Sequence, residues 1–172
     1  MTGGSLEQQG RVHYNVPIRF DGAGTVRLES DVTLGYGAAP KYGNGEILLQ
    51  ARSETAIISI GSRTVASNNL QVIANQSVHI GSDCLIGELV SIYDSDFHEI
   101  NPHERQSKSH GKVAEVVIGN NVWIGSRSLI LKGTTIGDNT VIAAGSVVTK
   151  SIPADVIAGG NPARVIREKL EE

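Results

Sequence analysis

The chain has 172 residues, which suffices for one hydrophobic core and predicts a single domain over residues 1–172. Aromatic residues make up only 4% of it, while it contains 18 Ile, 17 Val and 11 Leu, so the interior has to be built from branched aliphatic side chains, which favours strands over a helical bundle. The net charge of −3 excludes a global basic field for nucleic acid or an anionic membrane, and no apolar run reaches the roughly 20 residues that cross a bilayer.

The N-terminal residues 1–24 carry no clear period, and we expect an arm there. They lack a basic segment followed by an apolar one, so no signal peptide is expected. The chain has a single cysteine and therefore no internal disulfide. Together these features are typical of a cytoplasmic protein.

A repeat is predicted over residues 25–153. In its first half, Leu34 and Ile60 are each followed by glycine. Aliphatic residues then recur every six positions, at Ile80, Ile86 and Ile92. Because Ile60 and Ile80 are 20 positions apart, which is not a multiple of six, a two-residue bulge is expected between them.

The repeat is interrupted by a polar segment, predicted as a loop over about 94–115. Ile92 and Ile118 are 26 positions apart where six are expected, and the residues between them are rich in histidine. A long loop inserted into a rigid coil usually carries function, so the chemistry is expected here. The alternative is a solvated surface loop, which its charges alone would permit.

The six-residue period is strongest after this loop, at Ile118, Ile124, Ile130, Ile136, Ile142 and Val148. Most of the residues that follow these positions are small, as expected where a chain turns tightly. A period of six is neither the 3.6 of a helix nor the alternation of a hairpin strand, and it predicts very short strands joined at corners. If three hexads close one turn, successive turns stack as parallel strands around an aliphatic column, which gives an all-β parallel β-helix. The alternative is a generic β-sandwich.

The C-terminal segment, 154–172, is predicted to contain a short helix. Asn161 followed by Pro162 has the pattern of a helix cap and a first-turn proline. The helix is therefore expected from Ala163 to Leu170.

The hexads, the His-bearing loop and the phrase IGNNVWIGSRSLILKGTTIGDNTVIAAGSVVTKSIPADVIAGGNPARVIRE together resemble the hexapeptide-repeat acyltransferases. The chain looks closest to the galactoside, maltose and capsule or lipopolysaccharide sugar O-acetyltransferases, and the resemblance covers about Ile57 to Glu168. It implies a left-handed β-helix and a homotrimer with acetyl-CoA bound in clefts between subunits. It also implies transfer of an acetyl group to a hydroxyl, or an amine, of a sugar, glycan or nucleotide-sugar.

The resemblance implies that His98, at the end of the segment Tyr93–His98, is the catalytic base. A neutral alcohol is a poor nucleophile at pH 7, and an imidazole can accept its proton and later return it to the thiolate. The alternative is a surface histidine bonded to Asp94 or Asp96. His103 and His110 match no motif, and a surface role is expected for both.

The acceptor is expected to contact Asn69, Asp94 and Asp96. The sugar enzymes carry asparagine at the positions of Ser67 and Asn69, so Ser67 is a departure from their pattern. Asp94 or Asp96 could orient His98 or bind sugar hydroxyls, since a carboxylate holds the useful tautomer of an imidazole. The alternative for Asn69 is a corner residue in the left-handed conformation.

The resemblance also implies positions for acetyl-CoA. Ser126 and Ala144 would line the groove for the pantetheine arm, where a large side chain would block the channel. Residues near the nucleotide end would be Thr149, Lys150, Arg164 and Arg167, with cations suited to phosphate. The alternative for the three cations is ordinary surface charge.

Two single residues are expected to pack. Trp123 would lie under the loop or at a subunit seam. Cys84 has no neighbouring histidine motif, so it is expected to be a small buried residue and not a nucleophile.

Two other functions stay open. The γ-type zinc carbonic anhydrases share this kind of repeat, and His79, His98 and His103 could supply imidazoles. However, Ser82 and Ser126 stand where such enzymes need histidine within the hexads, so no metal is expected. The other alternative is a non-catalytic β-helix scaffold.

Overall fold

The computed structural model describes residues 3–107 and 111–168, and all regular elements within these two ranges are β-strands. Strands β1 to β18 form six turns of three strands each. They are β1 (Ser5–Gln8), β2 (Val12–Tyr14), β3 (Ile18–Gly22); β4 (Thr25–Leu28), β5 (Val32–Leu34), β6 (Ile47–Ala51); β7 (Ile57–Ile60), β8 (Val65–Ala66), β9 (Gln71–Ala74); β10 (Ser77–Ile80), β11 (Leu85–Ile86), β12 (Ser91–Tyr93); β13 (Val116–Ile118), β14 (Trp123–Ile124), β15 (Leu129–Ile130); and β16 (Thr135–Ile136), β17 (Val141–Ile142), β18 (Val147–Val148). Two more strands follow, β19 (Val156–Gly160) and β20 (Ala163–Glu168).

Three sheets form the sides of the coil, because each strand pairs in parallel with the corresponding strand of the next turn. The first strands of the turns form sheet A, the second strands sheet B and the third strands sheet C. Strands β19 and β20 extend sheet B, with β19 parallel to β17 and β20 antiparallel to β19. The predicted all-β parallel β-helix, with three hexads per turn, is confirmed.

The core is the predicted column of aliphatic side chains. Its members with no exposed surface include Ile58, Ile60, Ile92, Ile124, Ile130, Ile136, Ile142 and Val148. Each hexad places one aliphatic residue inward, so neighbouring turns stack aliphatic on aliphatic, and burial of this apolar surface stabilises the coil.

The chain turns at three corners per turn, which we call AB, BC and CA after the sheets they join. In each of the six turns the AB corner uses one residue with positive φ: Gly10, Asp31, Arg63, Asp83, Asn121 and Asn139. Neighbouring turns also approach closely at the BC corners, where a Cβ added to Gly125 would lie 2.5 Å from the backbone N of Ala144. This close approach explains why small residues follow the aliphatic ones.

The N-terminal prediction was wrong. Residues predicted as an arm, 1–24, include β1, β2 and β3, which form the first turn of the coil. Ser5 pairs with Thr25 and Ile57 pairs with Ser77, so these turns contain 20 residues. A search for a strict six-residue period therefore misses the first turn.

The C-terminal helix prediction was also wrong within the described residues. Ala163–Glu168 is β20, an antiparallel partner of β19, and Leu170 lies outside the described residues. The Asn161–Pro162 pair forms the turn between the two strands and does not cap a helix. Pairing with the edge of sheet B outweighs the local cap signal. The described residues contain no helix with the length and apolarity to cross a membrane.

Two loops leave the coil. The first, residues 35–46, lies at the BC corner of the second turn and was not predicted; we call it the Tyr42 loop. The second lies at the CA corner of the fourth turn, between β12 and β13, at the predicted residues 94–115; we call it the His98 loop. The coil thus carries one loop at each of two different corners.

Candidate active site

Apart from Arg164 and Arg167 on β20, the predicted site residues fall at two kinds of corner of the coil. Asn69, Ser126 and Ala144 lie at BC corners, while His98 lies on a loop that leaves a CA corner. Asp94 and Asp96 share the His98 loop. Thr149 and Lys150 follow β18 at the last CA corner, and both are exposed. Sheet C separates the two groups, so one chain does not bring His98 and the BC residues together.

The His98 loop has a paired base. Ser95 and Val113 form an antiparallel bridge. The amide of Asp96 donates to the carbonyl of Lys112 at 3.1 Å, and the amide of Ala114 donates to the carbonyl of Asp94 at 2.9 Å. These bonds fix the two ends of the loop to each other.

His98 is exposed, and its Nδ1 lies 3.2 Å from the backbone carbonyl of Arg105. A carbonyl can only accept, so this contact requires a proton on Nδ1, and in the neutral ring Nε2 then carries the lone pair. The expectation that Asp94 or Asp96 orients His98 is therefore replaced, since the Arg105 carbonyl holds the tautomer. His103 is also exposed, and His110 lies outside the described residues.

Asp94 has a structural role that the sequence did not predict. Its side chain has no exposed surface. The carboxylate accepts from the amide of Asn75 at 2.8 and 3.0 Å and from the amide of Gln76 at 2.7 Å. Burial raises the pKa of Asp94, although these backbone hydrogen bonds oppose the shift. The carboxylate faces the backbone and not solvent, which gives Asp94 a structural role in place of the expected acceptor contact.

Asp96 is paired with Lys132, whose ammonium contacts Oδ1. Both side chains are about a quarter exposed, and Oδ2 of Asp96 is buried without a hydrogen-bond partner. Its interaction with Lys132 makes Asp96 part of the loop base, in place of the free acceptor contact expected from sequence.

Asn69 adopts φ 60° and bonds to the Tyr42 loop. Its side-chain Oδ1 accepts from the amide of Tyr42 at 3.1 Å, and its Nδ2 donates to the carbonyl of Tyr42 at 2.9 Å. The neighbouring Asn68 is fully buried and bonds both backbone groups of Tyr36. The corner alternative thus describes Asn69, whose amide is used by the protein itself.

The two residues predicted to border the pantetheine arm, Ser126 and Ala144, lie at BC corners where neighbouring turns pack closely. Ser126 Oγ donates to Oε2 of Glu88 at 2.6 Å, and this hydrogen bond lowers the pKa of Glu88. A Cβ on Gly87 would meet the backbone N of Ser126 at 2.6 Å. Ala144 is exposed at the next BC corner. The two predicted residues therefore follow one another along the same corner.

The two arginines lie on a strand and not on the predicted helix. Arg164 of β20 pairs with Gly159 of β19, and Arg167 pairs with Ile157. Gly159 and Ile157 are two positions apart, and the pairing register shifts between Ile157 and Ala158. Side chains of paired residues point to the same face of a sheet, and Gly159 and Ile157 both lie on the outer face of sheet B. Because the register shifts between the two pairs, Arg164 and Arg167 both lie on this outer face although they are three positions apart. The strand thus supplies the pair of cations that the helix was expected to supply.

The outer face of sheet B is apolar from β8 to β19, between the polar first two turns and the arginines of β20. Residues in register along it are Val65, Leu85, Trp123, Val141 and Ile157. Leu85 and Trp123 are 54% and 55% exposed, so Trp123 does not pack under the loop. A cavity of about 280 Å³ lies on this face, lined by Tyr36, Val65, Ser67, Leu85, Ile86, Gly87 and Trp123. An apolar face of this kind marks a contact surface.

Other predicted chemistry is resolved by local contacts. Cys84 is buried, and burial raises the pKa of its thiol, which confirms it as a packed residue. His79 Nδ1 bonds to Ser59 Oγ at 2.7 Å. Within residues 3–107 and 111–168, no three His, Cys, Asp or Glu side chains are grouped to hold a metal ion.

Comparisons with known proteins agree with the fold. The family model "Bacterial transferase hexapeptide (six repeats)" matches residues 115–150. The chain is 45% identical over 111 residues to a galactoside O-acetyltransferase of Escherichia coli, covering 64% of this chain and 54% of that protein. It is 43% identical over 115 residues to a putative acetyltransferase of Saccharomyces cerevisiae, covering 67% of this chain and 58% of that one. The chain thus spans little more than half the length of these curated relatives.

Solved structures match nearly the whole chain. A galactoside acetyltransferase in complex with coenzyme A aligns with a TM-score of 0.62 and 32% identity, covering 98% of this chain and 66% of that one. A polysialic-acid-specific acetyltransferase, NeuO, aligns with a TM-score of 0.68 and 25% identity, covering 99% and 78%. These findings confirm the resemblance to the hexapeptide-repeat acyltransferases and their left-handed parallel β-helix. Among them, the chain is similar to sugar O-acetyltransferases.

Proposed function

We propose that the protein transfers an acetyl group from acetyl-CoA to a hydroxyl, or an amine, of a sugar, glycan or nucleotide-sugar in the cytoplasm. The observation that carries this proposal is the state of His98. Its Nδ1 donates to the Arg105 carbonyl, and the exposed ring leaves Nε2 free to accept a proton. A neutral imidazole in this tautomer is suited to general-base catalysis.

The reaction then needs no covalent acyl-enzyme. His98 Nε2 takes the hydroxyl proton while the acceptor oxygen attacks the thioester carbonyl. The new C–O bond forms, the C–S bond breaks, and the imidazolium returns its proton to the departing thiolate. Acetyl-CoA and the acceptor alcohol become CoA and the acetyl ester, with His98 regenerated.

The cofactor is proposed to run along the BC corners. Ser126 and Ala144 would border the pantetheine arm, and close packing of turns leaves room there only for small groups. Thr149 and Lys150 lie at the last CA corner, on the same edge of sheet C as His98, so they would reach a cofactor that runs along the BC corners of a neighbouring copy. Arg164 and Arg167 share the outer face of sheet B. These cations suit the phosphates of CoA. Coenzyme A in a related galactoside acetyltransferase structure supports this assignment.

The active site is proposed to form between subunits of a homotrimer. Within one chain, the BC residues precede the strands of sheet C and His98 follows them, so they lie at opposite ends of these strands. A neighbouring copy is needed to bring them together. The apolar outer face of sheet B offers the contact surface. Light scattering should report a trimer at micromolar concentration, and a stable monomer with full activity would overturn this arrangement.

The test of the function is product analysis. The protein is incubated with acetyl-CoA and a panel of sugars, amino sugars and nucleotide-sugars, and mass spectrometry reports which acceptor gains one acetyl group. At least one sugar should be acetylated in proportion to enzyme. If acetyl-CoA binds but no sugar in the panel is acetylated, the proposed acceptor class is wrong.

A further inference from the structure

The residue immediately before His98 has an unusual backbone conformation. Phe97 adopts φ +65°, in the left-handed region that favours glycine. Bulky residues seldom enter this region, and such strain persists only where surrounding contacts impose it. The direction in which the chain enters His98 therefore depends on what holds Phe97 and its neighbours.

Two side chains from sheet C and its corner contact the Phe97 ring. The Arg52 guanidinium lies 4.7 Å from the ring centroid, within the range of a cation–π interaction. Tyr93 meets the same ring edge to face, with centroids 5.2 Å apart. Arg52 is itself fixed, because its Nε donates to Gln50 Oε1 at 2.8 Å. The ring is thus attached to the rigid coil.

A second contact fixes Asp96, two positions before His98. Lys132, from the CA corner of the fifth turn, pairs with Oδ1 of Asp96, and both side chains are about three quarters buried. An ion pair that is largely withdrawn from solvent is screened less than a surface pair. Oδ2 of Asp96 is buried without a partner, so this carboxylate depends on Lys132 for its compensation.

The returning end of the loop packs against the same backbone. A Cβ on Gly111, which has φ +64°, would lie 2.4 Å from the carbonyl oxygen of His98 and 3.0 Å from Cβ of Asp96. The segment before His98 is therefore enclosed by the coil on one side and by the loop on the other. Of residues 94–98, His98 is the one whose side chain is exposed.

We infer that Lys132 and Arg52 are positioning residues, which hold Asp96 and Phe97 so that the left-handed turn presents His98 Nε2 in one fixed direction. This inference rests on the proposed function of His98 as general base. Neither residue touches the reacting atoms. Their effect is on the fraction of molecules in which the base is correctly placed, so it falls on kcat and not on cofactor binding.

The test compares Lys132→Met with Lys132→Arg. Lys132→Met removes the charge and should lower kcat by about 10- to 100-fold, the effect of a small misplacement of a catalytic group, with KM for acetyl-CoA changed less than about twofold. Lys132→Arg keeps the charge and should recover most of kcat. The matched control is Arg63→Met, which breaks an exposed ion pair with Asp83 at an AB corner and should leave kcat unchanged.

Arg52→Met provides a second variant should Lys132→Met fail to fold, because Arg52 contacts Phe97 and Gln50 only at the surface of the coil. It should also lower kcat with KM for acetyl-CoA retained. A folded Lys132→Met or Arg52→Met protein with kcat within about twofold of wild type would overturn the inference. So would failure of Lys132→Arg to recover more activity than Lys132→Met.

NMR of the His98 ring, with histidine labelled at Cε1, separates this inference from the proposed function. The Cε1–Hε1 signal should shift or broaden in Lys132→Met and Arg52→Met and stay unchanged in Arg63→Met. If wild type acetylates nothing, the proposed function fails, and the signal still reports whether the two residues position His98. An identical signal in all four proteins would reject positioning.

Discussion

The variant Asp94→Ala tests whether the carboxylate of Asp94 has a structural role or contacts the substrate. The carboxylate satisfies the amides of Asn75 and Gln76, both at hydrogen-bonding distance. Each buried donor left without a partner costs about 1–3 kcal/mol. Because Gln76 is exposed, its backbone amide can donate to water in the variant, so the full cost falls on the amide of Asn75. The expected loss in free energy of unfolding at pH 7 is about 2–4 kcal/mol.

Urea denaturation followed by circular dichroism measures this loss, with Glu7→Ala as the control for an exposed carboxylate whose removal should change stability little. The pH dependence has a defined sign. Burial raises the folded-state pKa of Asp94 above the ordinary value of 3.8, so the folded protein binds this proton more tightly than the unfolded chain. The stability that Asp94 contributes is fully present below 3.8 and declines as pH rises through the folded-state pKa.

The difference between wild type and Asp94→Ala should therefore be larger at pH 4 than at pH 7. If the variant instead unfolds at the wild-type urea concentration and only its KM for the acceptor rises, Asp94 contacts substrate and the structural assignment is wrong.

Three further predictions concern other parts of the molecule. Cys84, buried and with a raised pKa, should react with a thiol reagent at pH 8 only after unfolding, and rapid labelling of the native protein would contradict its burial. Lys150→Ala and Arg164→Ala should each raise KM for acetyl-CoA by about tenfold with a smaller effect on kcat, and unchanged KM in both folded variants would reject the phosphate contacts. Leu85→Arg puts a charge on the apolar face of sheet B and should yield an inactive monomer by light scattering, whereas an active trimer would show that this face is not the subunit contact.

The regular coil could be predicted because its physics is local and repeated. Ile118, Ile124 and Ile130 lie on the three successive sheets of one turn, and each points into the core. Because every turn needs buried aliphatic residues at these positions, the same pattern recurs in the sequence. The first turn was missed because its 20-residue length hides a six-residue period. The strand at Ala163–Glu168 was missed because an unpaired sheet edge, which only the assembled coil provides, decided its conformation.

The candidate site was predictable only in part. The long interruption before Ile118 located the His98 loop, since a break in a strict period is visible in sequence. The partners of Asp94, Asp96 and Asn69 were not visible, because the backbone amides, Lys132 and the Tyr42 loop that they contact lie in other turns. The Tyr42 loop lengthens the second turn to the 32 residues that separate Thr25 from its partner Ile57, and this pairing is visible only in the folded coil.

His98→Ala tests the central claim most directly. The rate of acetyl transfer is measured with an acceptor that the wild-type protein acetylates, under conditions where chemistry limits the rate. The affinity for acetyl-CoA is measured by calorimetry. Because His98 lies on the loop and not in the aliphatic column, fold and affinity should stay near wild type, while turnover should fall by about 10²- to 10⁴-fold. Turnover above about a tenth of wild type would show that His98 is not the base.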